Sequence, residues 1–294
     1  MNLALRPTVC FLIISTLLAV SASAQLLVEE SFNYAAPSSI GSSTATTAGF
    51  SGNWRYLGTP ANVTAGSLGY TDGNGAVLGT SNNQLEVGDD RRVQASFDTS
   101  GGGALGSYVD GTGNIGADDT TLYLSILMQR PTGTAGFAAF ELDRDGDFDS
   151  ERVMSIDLST LNHDGSSNYF FTTYSGGSID TGYDLSTSGS STQFFVIRFD
   201  FASGADTFSV YANPTLGTEP GEPMVTGTFS DLSFDRIGFA NFVDPDTTIL
   251  FDELRLGTSY AAVTAIPEPG ATAAFAGLAA LVMGLGFARN RKVR

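Results

Sequence analysis

Between Gln25 and Ile266 the chain holds no apolar pattern with a helical period. What repeats instead is the two-residue alternation of β-strands. It is plainest in Phe195-Val196-Ile197-Arg198-Phe199-Asp200-Phe201, where Phe195, Ile197, Phe199 and Phe201 share one face. Runs rich in β-branched and aromatic residues predict strands over 26–34, 93–97, 121–130, 137–142, 152–158, 168–174, 193–201, 207–212, 236–242 and 249–256. Turn residues such as Asp72-Gly73-Asn74-Gly75 and Asn213-Pro214 separate runs of this kind. Residues 38–47 and 186–192 are rich in Ser, Thr and Gly and read as loops, and 261–266 reads as a short linker. Many short strands at near-even spacing, with no internal repeat, predict an all-β fold, a two-sheet jelly-roll sandwich.

The two ends follow different rules. Residues 1–24 carry one basic residue, Arg6, then an apolar stretch over 9–20, then Ala22-Ser23-Ala24. That is the layout of a secretory signal peptide, with cleavage expected before Gln25. At the other end Pro267-Glu268-Pro269 precedes residues 271–288, which hold no charge. As a helix that run is about 27 Å long, close to the roughly 30 Å hydrocarbon core of a bilayer. Arg289, Arg291, Lys292 and Arg294 follow, and basic residues beside a span stay on the cytoplasmic side. Gly277, Gly284 and Gly286 weaken the alternative of a buried soluble helix. Three parts are therefore predicted: a signal peptide at 1–24, a sandwich ectodomain at 25–263, and a tail at 264–294 with one transmembrane helix.

Charge and cysteine usage exclude several functions. Nine arginines face thirty acids between Gln25 and Ile266, a formal charge of −21. Such a surface repels nucleic acid and acidic headgroups and attracts divalent cations. Cys10, the only cysteine, lies in the predicted signal peptide, so the mature chain has neither disulfide nor thiol chemistry. There is no phosphate loop, dinucleotide fingerprint or pair of metal-binding histidines. The lone His163, in Asn162-His163-Asp164-Gly165, reads as a turn residue.

The densest acidic stretch runs from Glu141 to Glu151. Its alternate carboxylates, Asp143, Asp145, Asp147 and Asp149, can converge on Ca²⁺, which takes six to eight oxygens. The spacing approaches a helix–loop–helix calcium loop with Glu141 first. However, Arg152 then stands at the twelfth place, and the flanks read as strands. The plainer reading is a solvated hairpin turn. Trp54 and Tyr56, with Tyr70 nearby, have ring faces suited to sugar C–H surfaces, against the competing reading of core residues. Asp252-Glu253, on the last predicted strand, reads as structural.

Two resemblances add to this. Pro267-Glu268-Pro269, the apolar run and the basic end together resemble the PEP-CTERM sorting signal of Gram-negative bacteria. The likeness covers residues 266–294. It implies an exosortase as partner, with Pro267, Glu268 and Pro269 as the recognition element. It also implies an inner-membrane precursor, then release to the cell surface or an extracellular polysaccharide matrix. The order of strands resembles the concanavalin A-like, laminin-G-like sandwich over residues 26–263. It rests on the opening run Leu27-Val28-Glu29-Glu30-Ser31-Phe32, the hairpin over 136–158, and the closing run 251–260, which in such domains returns beside the first strand. Retaining glucanases of that fold use a Glu-x-Asp-x-(x)-Glu strand. Glu141 and Asp143 match its first two places, and Asp145 or Gly146 stands where the acid/base Glu should be. The expectation is an exported, non-catalytic module that binds carbohydrate or builds matrix, with no catalytic residue assigned. The alternative is a secreted glycoside hydrolase or lyase on the same scaffold.

Overall fold

A computed structural model describes residues 24–42, 44–88, 90–132, 137–144, 146, 151–159, 168–242 and 247–265. The strands are β1 (Leu26–Glu30), β2 (Ser38–Ile40), β3 (Phe50–Gly58), β4 (Ala61–Ala65), β5 (Asn83–Val87), β6 (Arg91–Phe97), β7 (Thr120–Thr132) and β8 (Phe137–Asp143). They continue with β9 (Arg152–Ser159), β10 (Asn168–Ser175), β11 (Ser178–Ser188), β12 (Gln193–Phe201), β13 (Asp206–Ala212), β14 (Val225–Phe229), β15 (Arg236–Phe242) and β16 (Thr248–Gly257). A 3₁₀ turn at Gly106–Tyr108 and the short helix α1 (Tyr260–Val263) complete the set among the described residues.

The strands form two antiparallel sheets, the predicted all-β sandwich. One runs β14-β13-β12-β7-β16-β5-β4-β2, with β1 also paired to β16, and the other runs β11-β10-β9-β8-β15-β6-β3. The opening and closing strands lie side by side, as the concanavalin A-like resemblance implied: Glu29 stands opposite Arg255 and Glu30 opposite Leu254. The predicted hairpin is β8–β9, with Phe140 opposite Ile156.

Alternation decides which side chains fill the space between the sheets. Phe195, Ile197, Phe199 and Phe201 of β12 all enter the main core. Aromatic rings meet there across the layers: Phe239 lies 4.8 Å from Phe251, Phe171 4.6 Å from Phe208, and Tyr169 5.1 Å from Phe195. Each fully buried Phe is worth about 1.5–3 kcal/mol. The other face of the nine-stranded sheet is covered too. Phe194, Val196, Tyr123 and Leu127 pack with Tyr70, Tyr211, Tyr260 and Val263 in a second cluster. The predicted turn at Asp72 helps hold that cover. One carboxylate oxygen of Asp72 accepts from the N–H of Asn74 and Ala76, and the other accepts from the N–H of Leu216.

Three expectations need correction. The Ser/Thr-rich stretch 38–47 contains strand β2, and the stretch 186–192 begins inside β11. The expected linker is not a free tether over its first residues. Val263 is fully buried, its carbonyl accepts from the Ser125 hydroxyl at 2.9 Å, and Ser259 caps α1 by accepting from the N–H of Ala262. Among the described residues no helix is long and apolar enough to cross a membrane. The predicted signal peptide, apart from Ala24, and the predicted transmembrane run lie outside those residues.

Candidate functional site

Strand β8 explains where the charges of this protein collect. Ala138, Phe140 and Leu142 point into the main core. Phe137, Ala139, Glu141 and Asp143 therefore point out of the other face of the seven-stranded sheet. A charged row on an outer face is ordinarily wet. Here Glu141 is 0% exposed, Asp143 1%, and Arg92 of β6 0%. Ionised groups are rarely buried so deeply unless they are paired.

The pairing is dense. Arg92 Nη2 lies 2.6 Å from Glu141 Oε2 and 3.1 Å from Asp143 Oδ2. Arg152 Nη2 lies 2.5 Å from Glu141 Oε1, so both oxygens of Glu141 face a guanidinium. Gln94 Nε2 donates to Asp143 Oδ2 at 2.9 Å. The Arg152 guanidinium is also held between two rings, 4.8 Å from the centre of Phe137 and 4.9 Å from that of Tyr174. Beyond it, Ser155 donates to Asp157 at 2.7 Å and lies 3.2 Å from the Tyr174 hydroxyl.

Gly238 of β15 makes the network possible. Strand β15 lies between β6 and β8. A Cβ on Gly238 would sit 3.1 Å from carboxylate oxygens of both Glu141 and Asp143 and 3.6 Å from Arg92 Nε. The missing side chain leaves the gap through which Arg92 reaches two strands away. From above, Arg144 N–H donates to the Glu151 carbonyl at 2.9 Å, closing the acidic hairpin. Gly146 of that hairpin stands beside the Arg236 guanidinium, and its carbonyl accepts from Arg55 Nη1 of β3 at 2.8 Å.

Burial sets the electrostatics. It pushes the Asp143 carboxyl above the usual carboxylate range, against the pull of Arg92, Gln94, Arg152 and Arg236. Burial, then the charge of Asp157, pushes the Tyr174 hydroxyl up to about 12. Burial favours the neutral form of Arg152, but Glu141, Tyr174 and Asp143 together outweigh it and the guanidinium is held ionised.

The two carboxylates occupy alternate places on one strand, as a hydrolytic pair would. Each oxygen of Glu141 is ion-paired to a guanidinium, so its charge is matched where it lies. Asp143 is likewise engaged, which corrects its expected place in a calcium loop: its oxygens face Arg92 and Gln94. Asp145, Asp147 and Asp149 lie outside the described residues, as does His163. Among the described residues no group of three or more His, Cys, Asp or Glu is arranged to hold a metal.

Trp54 also needs correction. It is 0% exposed, packed near Phe32, Phe50 and Phe239, and its Nε1–H donates to the Tyr34 hydroxyl at 3.0 Å. It is a core residue with no ring face to offer a sugar. Tyr56 is 39% exposed on β3, next to Leu57 at 45%. Tyr70 is buried, and its hydroxyl donates to the Pro214 carbonyl at 2.7 Å. Asp252 and Glu253 tie the closing strand to its surroundings. The Ser67 hydroxyl and Leu68 N–H donate to Asp252, and Ser81 N–H and Arg255 donate to Glu253. The sorting residues Pro267, Glu268, Pro269, Arg289, Arg291, Lys292 and Arg294 lie outside the described residues. Arg92 and Gly238 were not picked out from sequence. The alternation of β6, with Arg92 and Gln94 on one side and Val93 and Ala95 on the other, is that of an ordinary wet outer face.

No protein-family model and no curated protein sequence matches the chain. Among solved structures the chain is similar to lectin I-B4 of Griffonia simplicifolia, at 14% identity and a TM-score of 0.38, covering 69% of this chain and 92% of the lectin. It is similar to an endo-1,3-β-glucanase from Streptomyces sioyaensis, at 12% identity and a TM-score of 0.39, covering 81% and 98%. It is also similar to an endo-acting O-glycanase of the human gut microbiota, at 10% identity and a TM-score of 0.44, covering 80% and 99%.

Proposed function

We propose that this protein is an exported, non-catalytic carbohydrate-binding sandwich of the bacterial cell surface or extracellular matrix. The observation that carries the reading is the state of Glu141 and Asp143. They are the carboxylates at the places where a sandwich glucanase keeps its chemistry, and they are buried and bonded to Arg92, Arg152 and Gln94. A nucleophile needs a free lone pair and an approach to the sugar. The strand order supports the scaffold, since the opening, hairpin and closing landmarks of the concanavalin A-like pattern fall in place. The surplus of acids, with no lysine before the tail, favours a neutral polymer over nucleic acid as partner.

Sorting completes the proposal. The signal peptide exports the chain, the apolar run with Arg289, Arg291, Lys292 and Arg294 holds the precursor, and an exosortase acts at Pro267-Glu268-Pro269. The test is a glycan array probed with the exported protein. Retention on neutral polysaccharides supports the reading. Binding to no glycan on the array contradicts it.

A further inference from the structure

We infer that the cavity between the β10–β11 turn and the end of β14 holds one neutral sugar residue, gripped by Arg144 on one wall and Asp180 and Asp231 on others. This rests on the carbohydrate-binding reading above and assigns it a site. The cavity has a volume of about 330 Å³. That is the small end of the range for ligand pockets, about 300–1,000 Å³.

Both sheets build it. Arg152 comes from β9, Tyr174 from β10, Asp180 from β11 and Phe229 from β14, with Asp231 just beyond. The sheet edges touch beside it. A Cβ on Gly227 of β14 would stand 3.0 Å from the Tyr183 hydroxyl of β11 and 2.4 Å from the Phe208 ring. The cavity walls are therefore fixed by core packing and not by a loop alone.

The chemistry of the lining selects the ligand. Arg144 lines the cavity, and a guanidinium only donates. Asp180 and Asp231 are exposed carboxylates, which only accept. A group that must accept from Arg144 and donate to aspartates is a hydroxyl, and a set of neighbouring hydroxyls on one small ring is a sugar. The partly exposed Phe229 adds aromatic surface for the C–H face of such a ring.

Charge decides between neutral and acidic sugars. Arg152 is already matched by Glu141. Arg144 then stands alone against Glu151, Asp180 and Asp231 in the lining. A uronic acid would bring a further negative charge to an acidic site, and is disfavoured.

The experiment is calorimetric titration of the exported protein with neutral hexose oligosaccharides and with uronic-acid oligosaccharides of matching length. Wild type binds the neutral set. Arg144→Ala and the double variant Asp180→Asn, Asp231→Asn weaken that binding at least tenfold with unchanged melting temperature, and Val77→Ala, at an exposed position outside the cavity, does not. Ser230→Trp, at an exposed lining position, fills the cavity and gives the same loss if either of those variants is unstable. Wild-type affinity in the folded cavity variants overturns the site and leaves the carbohydrate reading standing. Tighter binding of uronic oligosaccharides overturns the choice of a neutral sugar. No binding by wild type overturns both.

Discussion

Arg92 and Glu141 stand on strands that are not neighbours, and their charged groups still meet at 2.6 Å. The strand between them contributes Gly238 at the crossing point. The buried charges of the outer face are thus a consequence of one missing side chain.

Gly238→Val fills that crossing point. Its Cβ would press on both carboxylates, and its methyl groups would displace Arg92. Breaking a buried pair leaves charge without compensation, at a cost of about 3–5 kcal/mol. Urea unfolding should show a midpoint lowered accordingly. A wild-type midpoint would show that the ion pairs do not depend on the gap.

Arg92→Met removes one charge and leaves Glu141 and Asp143 with too little compensation, again costing about 3–5 kcal/mol. Arg92→Met combined with Glu141→Gln removes one charge of each sign. The double variant should be more stable than Arg92→Met alone, a coupling that urea unfolding of the two singles and the double reads directly. Additive losses would mean that the two residues act independently.

Most strands with a neighbour on each side were legible, β4 and β5 excepted, and apart from β1 the sheet edges were not. Strands β7, β8, β9, β12, β13, β15 and β16 show apolar alternation or near-continuous apolar runs because neighbours bury them on both sides. The strands that were missed include every end of the two sheets: β14 and β2 in one, β11 and β3 in the other. In β11 ten of eleven residues escape burial, so Ser, Thr, Asp and Gly serve there and no pattern forms. The site was half legible for a related reason. Glu141 and Asp143 stood out as alternate acids, but their partner Arg92 lies far off in sequence. Its burial depends on ion pairs to another strand and on the small Gly238 between them, and alternation carries no record of that. Trp54 misled because an aromatic residue within a short, mostly polar strand has the same sequence signature whether it faces solvent or core.

Asp252 gives the fold a pH dependence. Burial first, with the charge of Glu253 adding to it, pushes its carboxyl up to about 7, against hydrogen bonds from Ser67, Leu68 and Glu253. In the unfolded chain the same group ionises near 4. Between those values the folded chain holds more protons, so stability falls as pH rises, and the loss is complete above about 7. Melting temperatures from pH 5 to 8 should decline in wild type, and Asp252→Asn should flatten that decline. An identical slope in the variant would assign the dependence to another group.

Replacing Pro267-Glu268-Pro269 by three alanines should leave an unprocessed, membrane-held precursor in the native host. Neutralising Arg289, Arg291, Lys292 and Arg294 should instead weaken membrane retention. Fractionation and immunoblotting separate the two outcomes. Wild-type processing of the tri-alanine variant would remove the case for exosortase sorting.

The most direct test of the central claim is the release of reducing ends from polysaccharides that the exported protein binds. The carboxylates of β8 are committed to guanidinium groups, so the protein should stay on the polymer and release no reducing ends above the uncatalysed background. Steady release of reducing ends by wild type, abolished in a folded Glu141→Gln variant, would contradict the account and make the buried network a catalytic centre.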